Sequence, residues 1–244
     1  MDDDGGEGAV LSRIIAVAET GSTNADLLAL AADGAEEGVW LRAERQFAGR
    51  GRQGRAWDSP SGNLYASTLV RLRPGDPPPA SLALVAAVAL EEVVAGLAPR
   101  RTRLKWPNDL LIDGAKVSGI LLERVADAVV IGVGVNIAHH PDLPDRVTTS
   151  LAAHGVAITP AALVTRLAEM WAAWLHLWRA DGLAPVVRRW CDRAHPPGTP
   201  LIARLADGTE ARGTFETLGA DGALLIRLPG GGIRTIHAAD VFLI

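Results

Sequence analysis

The run His195-Pro196-Pro197-Gly198 most constrains the fold, because the hydrophobic pattern changes there. Before it, strand-like segments mix with amphipathic helical segments. After it come short alternating segments, typical of hairpin-linked strands in a small barrel. The turns between them are Asp207-Gly208, Asp221-Gly222 and Gly230-Gly231-Gly232. The sequence therefore predicts an α+β domain over residues 13–195 and a small β domain over residues 196–244.

The local pattern also predicts the individual elements. Strands of the larger domain are expected at Arg13–Glu19, Val39–Glu44, Asn63–Arg71, Thr102–Trp106, Leu110–Ile112, Lys116–Arg124 and Ala128–Asn136. Helices are expected from Ser22 or Thr23 to Asp33, and at Ala80–Leu97, Thr159–Arg179 and Leu183–Ala194. Strands of the smaller domain are expected at Leu201–Leu205, Ala211–Leu218, Ala223–Leu228 and Ile233–His237. Between the predicted elements, Gln46–Ser61 lacks periodicity and predicts a long loop, and such loops are commonly functional or disordered.

Composition limits the classes of function. The net charge of −4 gives no general attraction to nucleic acid or membrane. No apolar run reaches the roughly 18 uncharged residues that a membrane span needs. The single cysteine, Cys191, excludes an internal disulfide framework and a cysteine-rich zinc site. Residues 1–12 are acidic and glycine-rich, unlike a secretion signal, and predict a flexible tail. We expect a cytoplasmic protein with neither DNA nor membrane as a partner.

Arginine dominates the basic residues, which makes the two lysines informative. Of the 24 basic residues 22 are arginine, and the lysines Lys105 and Lys116 fall within one short stretch. A compact ammonium suits a site that the planar guanidinium would not fit. This stretch is therefore a candidate site.

Glycine and arginine alternate in the segment from Gly49 to Trp57, which reads GRGRQGRAW. Arginine offers bidentate donors to phosphate or carboxylate, and glycine lets backbone N–H groups approach an anion closely. Trp57 adds an aromatic face. Three interpretations remain open for the segment alone: an anion-binding loop, a solvated flexible loop, or an RNA-binding segment.

Two further motifs place glycine inside strands. Lys105-Trp106-Pro107-Asn108-Asp109 precedes a hairpin that returns as Lys116-Val117-Ser118-Gly119, which predicts that Lys116 approaches Lys105 and Asp109. Gly132-Val133-Gly134-Val135-Asn136 ends a continuous β-rich run. Glycine weakens a strand unless another group must come close. An ordinary hairpin and a packing site are the competing interpretations.

The remaining chemistry is restricted. Gly21-Ser22-Thr23-Asn24 opens a helix, where a simple cap or a polar ligand site are both possible. No serine lies in a nucleophile-elbow context, and no carboxylate spacing predicts a metal site. A cationic, glycine-lined pocket suits phosphoryl or adenylyl chemistry, in which positioning and charge neutralisation supply most of the rate.

Taken together and in this order, the motifs resemble the biotin protein ligase family. The resemblance covers about residues 19–136, and the C-terminal strand pattern extends it to nearly the whole chain. It implies a catalytic domain like those of class II aminoacyl-tRNA synthetases and biotin ligases, with a mixed sheet, flanking helices and a C-terminal SH3-like barrel. Phe47 and Gln53 depart from some relatives at variable loop positions.

The resemblance also implies roles for individual residues. The residues implied to bind biotin are Ser22, Thr23, Asn24, Gln46, Gly49, Arg50, Gly51, Arg52, Lys116, Gly119 and Gly132. The residues implied to bind ATP or the adenylate are Arg52, Arg55, Trp57, Lys105, Asn108, Asp109, Lys116 and Asn136. Lys116 and Arg52 would be catalytic, and Asp109 is the one candidate for contact with a metal.

The implied activity is ATP-dependent formation of biotinyl-5′-AMP, followed by transfer of biotin to a lysine of a biotin carboxyl carrier protein. ATP and Mg²⁺ are the implied cofactors, and a homodimer is possible. The chain is expected to be a short form without the DNA-binding domain of repressor-type members. The alternatives are a lipoate-type ligase of the same fold and a nucleic-acid-binding module that uses the Gly-Arg segment.

Overall fold

A seven-stranded mixed sheet forms the centre of the computed structural model, which describes residues 13–244; the predicted tail at residues 1–12 lies outside them. Its strands are β1 (Ile14–Thr20), β2 (Trp40–Gln46), β3 (Leu64–Arg71), β4 (Thr102–Lys105), β5 (Asp109–Ile112), β6 (Ala115–Val125) and β7 (Ala128–Val135). The spatial order is β1-β2-β3-β7-β6-β5-β4. Only β1 and β2 run parallel; the other neighbouring strands are antiparallel. The predicted strands are confirmed to within two residues at each end.

Helices cover the two faces of this sheet unequally. The helices are α1 (Thr23–Ala32), α2 (Leu82–Leu97), α3 (Pro160–Ala180) and α4 (Ala184–Arg193). The large core on one face joins α2, α3 and α4 to the sheet, whereas a small cluster around Leu27, Leu69 and Val130 packs α1 on the other face. Because α1 is short, it leaves part of its face of the sheet uncovered.

Helix α2 is nearly all apolar, and with the preceding turn at Pro79–Ser81 it is long and apolar enough to cross a membrane by length and composition. It is instead packed in the core between the sheet, α3 and α4. Its one fully buried acid, Glu91, accepts a hydrogen bond from Thr102 and pairs with Arg189 at 3.1 Å. A buried charge that is paired in this way belongs to a protein core.

The start of α1 is capped differently from the prediction. Ser22 occupies the N-cap position, but its side chain makes no capping hydrogen bond. The backbone N–H of Thr23 donates instead to Oε1 of Gln46, at 2.8 Å. A side chain from the end of β2 therefore satisfies one of the free N–H groups of the helix, and it joins two predicted site motifs.

The C-terminal domain is a five-stranded antiparallel sheet. Its strands are β8 (Pro200–Arg204), β9 (Glu210–Leu218), β10 (Leu224–Arg227), β11 (Ile233–Ile236) and β12 (Asp240–Leu243). The order is β11-β10-β9-β8-β12, and the described residues form no ladder between the edge strands β11 and β12. The predicted SH3-like barrel is thus an open one. Strand β12 was not predicted, because only three residues lie between the end of β11 and its start.

Candidate functional site

The uncovered part of the sheet forms the floor of a cleft. Alternate residues of β7 face α1, and the apolar pair Ala128 and Val130 is followed on the same face by Gly132 and Gly134. Ser67 of β3 lies beside Gly132, and Tyr65 of β3 and Gly119 of β6 lie beside Gly134. Because side chains alternate between the two faces of a strand, both glycines of the Gly-x-Gly motif lie on the same face, and they leave that part of the sheet flat.

Glycine is required at these positions because side chains lie directly on the floor. A Cβ at Gly134 would lie 2.7 to 2.8 Å from ring atoms of Trp57, and one at Gly132 would overlap the amide of Asn24. A Cβ at Gly119 would lie 3.1 Å from Trp57 and 3.2 Å from Nζ of Lys116. The glycines thus give room first to Trp57 and Asn24, and no ligand is needed to explain them.

Two lysines converge on one buried carboxylate at the end of the cleft. Asp109 lies 2.5 Å from Nζ of Lys116 and 3.2 Å from Nζ of Lys105, and its side chain is only 7% exposed. The cis peptide between Trp106 and Pro107 lies in the turn between the two strands that carry Lys105 and Asp109. This confirms the predicted proximity of Lys116, Lys105 and Asp109.

The electrostatics of this cluster favour the ionised form of Asp109. Burial opposes ionisation of Asp109, but attraction to Lys116 and Lys105 outweighs it and lowers the pKa of the carboxyl. Burial also lowers the pKa of Lys116, while Asp109 acts in the opposite direction. Two lysines against one carboxylate give the cluster an excess of basic groups, which suits an anion.

A polar network lines the opposite end of the cleft. The hydroxyl of Ser67 lies 2.6 Å from Oδ1 of Asn24 and 2.7 Å from the hydroxyl of Thr23. Asn24 Nδ2 donates to Glu123 at 2.8 Å, and Thr23 Oγ1 donates to Gln46 at 3.1 Å. These contacts fix the orientation of the Asn24 amide. The sequence predicted Thr23, Asn24 and Gln46 as site residues, but not Ser67 and Glu123. These two lie within strands, where no sequence motif marks them as site residues.

The predicted loop between β2 and β3 contains a short hairpin at residues 49–57, here called the lid hairpin. Arg50 and Ala56 form an antiparallel bridge, and the N–H of Gly51 donates to the carbonyl of Arg55 at 2.7 Å. Gln53 adopts a φ of 57° at the tip. So short a hairpin shows no alternation of polar and apolar side chains in the sequence, because it is held mostly by hydrogen bonds between backbone groups.

The lid hairpin carries Trp57 into the cleft. The Trp57 ring contacts the glycine floor, and Nζ of Lys116 lies 5.5 Å from the ring centroid, within cation–π range. The indole N–H is buried and has no hydrogen-bond partner among residues 13–244. Gly49, at the start of the hairpin, passes so close to the Trp57 carbonyl that a Cβ would lie 2.6 Å from it. Trp57 thus forms part of the wall between the floor and the lysine cluster.

Two predicted nucleotide-binding residues use their amide groups within the fold. Asn108 Nδ2 donates to the carbonyl of Ile120 at 2.5 Å. Asn136 Nδ2 donates to the carbonyl of Thr149 at 3.0 Å, and its backbone joins Val117 and Leu151. Both residues still reach the cleft, and their predicted contacts with the nucleotide stay predictions.

The cleft has a volume of about 890 Å³, and every residue predicted for the site lines it. They are Ser22, Thr23, Asn24, Gln46, Gly49, Arg50, Gly51, Arg52, Arg55, Trp57, Lys105, Asn108, Asp109, Lys116, Gly119, Gly132 and Asn136. The parts of the wall that the sequence did not identify include Tyr65, residues within the segment 141–148 such as Arg146, and strand β12. Burial raises the pKa of Tyr65 to about 12, and its hydroxyl donates to the carbonyl of Pro60.

The cleft offers little to a metal ion by itself. Among residues 13–244, no group of three or more His, Cys, Asp or Glu side chains could hold one. Asp109, the one predicted candidate, already accepts from two ammonium groups. The side chains described do not build a magnesium site.

The fold and the cleft define a class of protein: an α+β ligase-type catalytic domain with a C-terminal antiparallel sheet, whose cleft joins a polar pocket to a cationic cluster under a basic lid. Comparison with known proteins agrees. Residues 19–136 match the biotin/lipoate A/B protein ligase family, and residues 201–244 match the biotin protein ligase C-terminal domain.

Individual relatives specify the family. The chain is 40% identical over 240 residues to the biotin–[acetyl-CoA-carboxylase] ligase of Paracoccus denitrificans, covering 93% of this chain and 98% of the relative. It is 36% identical to the enzyme of the same name from Mycobacterium tuberculosis, covering 97% and 91%. The Aquifex aeolicus biotin protein ligase in complex with biotin and ATP superposes with a TM-score of 0.84 at 25% identity, covering 95% and 98%. The chain belongs to the biotin protein ligase family.

Proposed function

We propose that the chain uses ATP to convert biotin to biotinyl-5′-AMP and then transfers the biotinyl group to a lysine of a biotin carboxyl carrier protein. The observation that carries this proposal is the doubly lysine-paired Asp109 at one end of a glycine-floored cleft. The family agrees, since the Paracoccus and Mycobacterium relatives are named biotin–[acetyl-CoA-carboxylase] ligases.

In the first step, a carboxylate oxygen of biotin attacks the α-phosphorus of ATP, and pyrophosphate leaves. The residues Thr23, Asn24 and Gln46 of the polar network, together with Ser22, would hold the biotin head. The carboxylate would then point along the floor of Gly119 and Gly132 towards the lysine cluster. Lys116 would neutralise the charge that gathers on the carboxylate and phosphoryl oxygens, which is the largest kind of contribution that such a site can make.

The lid hairpin would cover the reacting groups. Its residues Gly49, Arg50, Gly51 and Arg52 would close over biotin and the adenylate, with Arg52 adding a second positive charge. Closure excludes water, which would otherwise hydrolyse a mixed anhydride.

The nucleotide would occupy the rest of the cleft, on the side of Lys105, Asn108 and Asp109. Arg55 and Trp57 would contact it from the lid, and Asn136 would lie near the adenine. A buried indole N–H without a partner supports a ligand contact for Trp57, because such donors are rare in folded proteins.

Magnesium would enter with ATP and be held by its phosphate oxygens. Mg²⁺ commonly keeps several waters and few protein ligands, and the charge it supplies offsets that of the triphosphate. Since Asp109 is engaged by two lysines, we assign no step to a protein-held metal.

In the second step, the amine of the acceptor lysine attacks the acyl carbon of biotinyl-AMP, and AMP leaves. A subunit of a biotin-dependent carboxylase in the cytoplasm is the proposed source of that lysine. A homodimer remains a prediction. DNA is not a proposed partner, because the net charge of −4 gives no general attraction to nucleic acid.

Biotin-dependent exchange of label between pyrophosphate and ATP tests the first step directly. We expect exchange with biotin and little with lipoate at the same concentration. Exchange that ignores biotin would refute the proposal, and faster exchange with lipoate would make the chain a lipoate-type ligase. Calorimetric titration with biotin, with and without a non-hydrolysable ATP analogue, then measures the binding that the cleft predicts.

A further inference from the structure

The lid hairpin touches the C-terminal sheet, and this contact lies outside the reaction steps assigned above. Both terminal nitrogens of Arg52 donate to the carbonyl of Ala239 at 3.3 Å. Arg52 also lies 3.8 Å from a carboxylate oxygen of Asp240, and Arg55 forms an ion pair with the other oxygen. Two lid arginines therefore meet at the first residue of β12.

Asp240 is better placed to hold the lid arginines than an ordinary surface acid would be. Its side chain is only 15% exposed, whereas that of Arg55 is 44% exposed. It belongs to the wall of the cleft, and its backbone is held by pairing with Arg204 of β8. An exposed ion pair contributes little because water screens it, but a half-buried carboxylate that receives two guanidinium groups is less screened and is fixed in direction.

The C-terminal sheet is itself attached firmly to the catalytic domain. Trp106 donates its indole N–H to the carbonyl of Gly222 at 3.1 Å. Trp190 of α4 packs against Phe215 of β9, with ring centroids 6.3 Å apart. The sheet therefore holds Asp240 at a set position beside the cleft, where it meets the lid hairpin.

Burial lowers the pKa of the Arg52 guanidinium, while the negative charges of Asp240 and Asp109 act in the opposite direction. A hairpin that Asp240 holds through Arg52 and Arg55 therefore keeps Arg52 in the wall of the cleft.

We propose that Asp240 is a positioning residue that latches the lid hairpin closed over the cleft. By this latch the C-terminal domain sets how long the acyl-adenylate is retained. The part about the adenylate rests on the proposed function; the part about closure does not. Asp240 touches no reacting atom in this scheme and acts through Arg52 and Arg55.

Trypsin provides a direct measure of lid opening, because the hairpin contains Arg50, Arg52 and Arg55. In the full-length chain we expect Asp240→Asn to raise the rate of cleavage within residues 50–55 by at least roughly five-fold, since local opening governs such cleavage. Asp240→Glu should restore slow cleavage. Glu216→Gln, which neutralises a partly exposed acid paired with Arg227 on the same sheet, is the matched control and should be cleaved like the wild type.

Thermal melting distinguishes a local effect from a folding defect: Asp240→Asn should melt close to the wild type while its lid is cut faster. If cleavage in Asp240→Asn stays at the wild-type rate, the latch is overturned. General fragmentation across the chain with a lowered melting temperature would also overturn it, since Asp240 would then be a stability residue.

Retention of the intermediate provides the second readout. Preformed biotinyl-AMP complexes, chased with excess unlabelled biotin and ATP analogue, should release the adenylate at least roughly five-fold faster in Asp240→Asn. The rate of adenylate formation at saturating substrates should change much less. Asp240→Asn should therefore raise the KM for the substrates more than it lowers kcat. A wild-type chain that forms no adenylate would sink the proposed function, while the tryptic comparison would still decide on the latch.

Discussion

Nζ of Lys116 lies 2.5 Å from a carboxylate oxygen of Asp109, although the two residues come from different strands and their side chains are almost fully buried. A second ammonium, that of Lys105, shares the same carboxylate. Removal of one lysine therefore leaves Asp109 paired, which separates the chemical role of Lys116 from its structural role.

We expect Lys116→Ala to reduce biotin-dependent pyrophosphate exchange by roughly 10²- to 10³-fold, as loss of one preorganised charge at the reacting oxygens does elsewhere. Lys116→Arg should rescue little, because a planar guanidinium would meet the floor where Nζ lies close to Gly119. Melting curves should show folded protein in both variants. Exchange near the wild-type rate in Lys116→Ala would remove the residue from the reaction.

Much of the fold could be predicted because the hydrophobic period is strong. Buried strands such as β7 and the apolar helix α2 have lengths and compositions that few other structures accommodate. The Gly-x-Gly spacing in β7 located the floor, since two glycines in a central strand need a close neighbour. That neighbour turned out to be Trp57 at Gly134 and Asn24 at Gly132.

The rest depends on long-range pairing that one sequence does not encode locally. Asp240 reaches Arg55 across 185 positions, and Asn24 reaches Glu123 across 99. Strand β12 is four residues long and pairs with β8, the first strand of its sheet. Such contacts appear only when the order of strands is known, so Asp240 and Glu123 were not predicted as site residues.

The orientation of the Asn24 amide depends on Glu123, which accepts from Nδ2 at 2.8 Å. We expect Glu123→Ala to weaken biotin binding about five-fold, corresponding to about 1 kcal/mol for one hydrogen bond. The KM for ATP should stay constant, because the polar network lies at the other end of the cleft. Glu36→Ala, at an exposed glutamate between α1 and β2, is the control. Equal calorimetric affinities for biotin in Glu123→Ala and the wild type would contradict this role.

The contact between Gly134 and Trp57 predicts a steric effect. Gly134→Ala places a methyl group within 2.8 Å of the Trp57 ring, and the ring must shift. We expect roughly ten-fold weaker binding of substrates, since overpacking costs about 1–3 kcal/mol. Gly96→Ala, at a helical glycine with no heavy atom near the added Cβ, should leave binding unchanged.

A double-variant comparison checks the cause of that effect. If the clash with Trp57 is responsible, adding Gly134→Ala to Trp57→Ala should cost little more than Trp57→Ala alone. Additive losses measured by calorimetry would show that Gly134 acts on the ligand or the backbone directly.

His195 at the domain boundary predicts a pH dependence of stability. Burial lowers its pKa from the ordinary value of about 6.5, and the nearby positive charges of Arg103 and Lys105 act in the same direction. Below about pH 6.5 the His195 side chain therefore binds a proton more readily in the unfolded chain than in the folded chain. For this reason His195 destabilises the fold as the pH falls below about 6.5 towards the lowered pKa. Above that range its contribution does not change with pH.

We expect His195→Gln, which cannot gain a proton, to lose less free energy of unfolding between pH 7.5 and pH 5.5 than the wild type does. Urea unfolding at the two pH values measures the difference. His176→Gln, at an exposed position on α3, is the matched control and should follow the wild type. Identical losses in His195→Gln and the wild type would mean that His195 takes up its proton equally well in both states. In that case its burial beside Arg103 and Lys105 would have no consequence for stability.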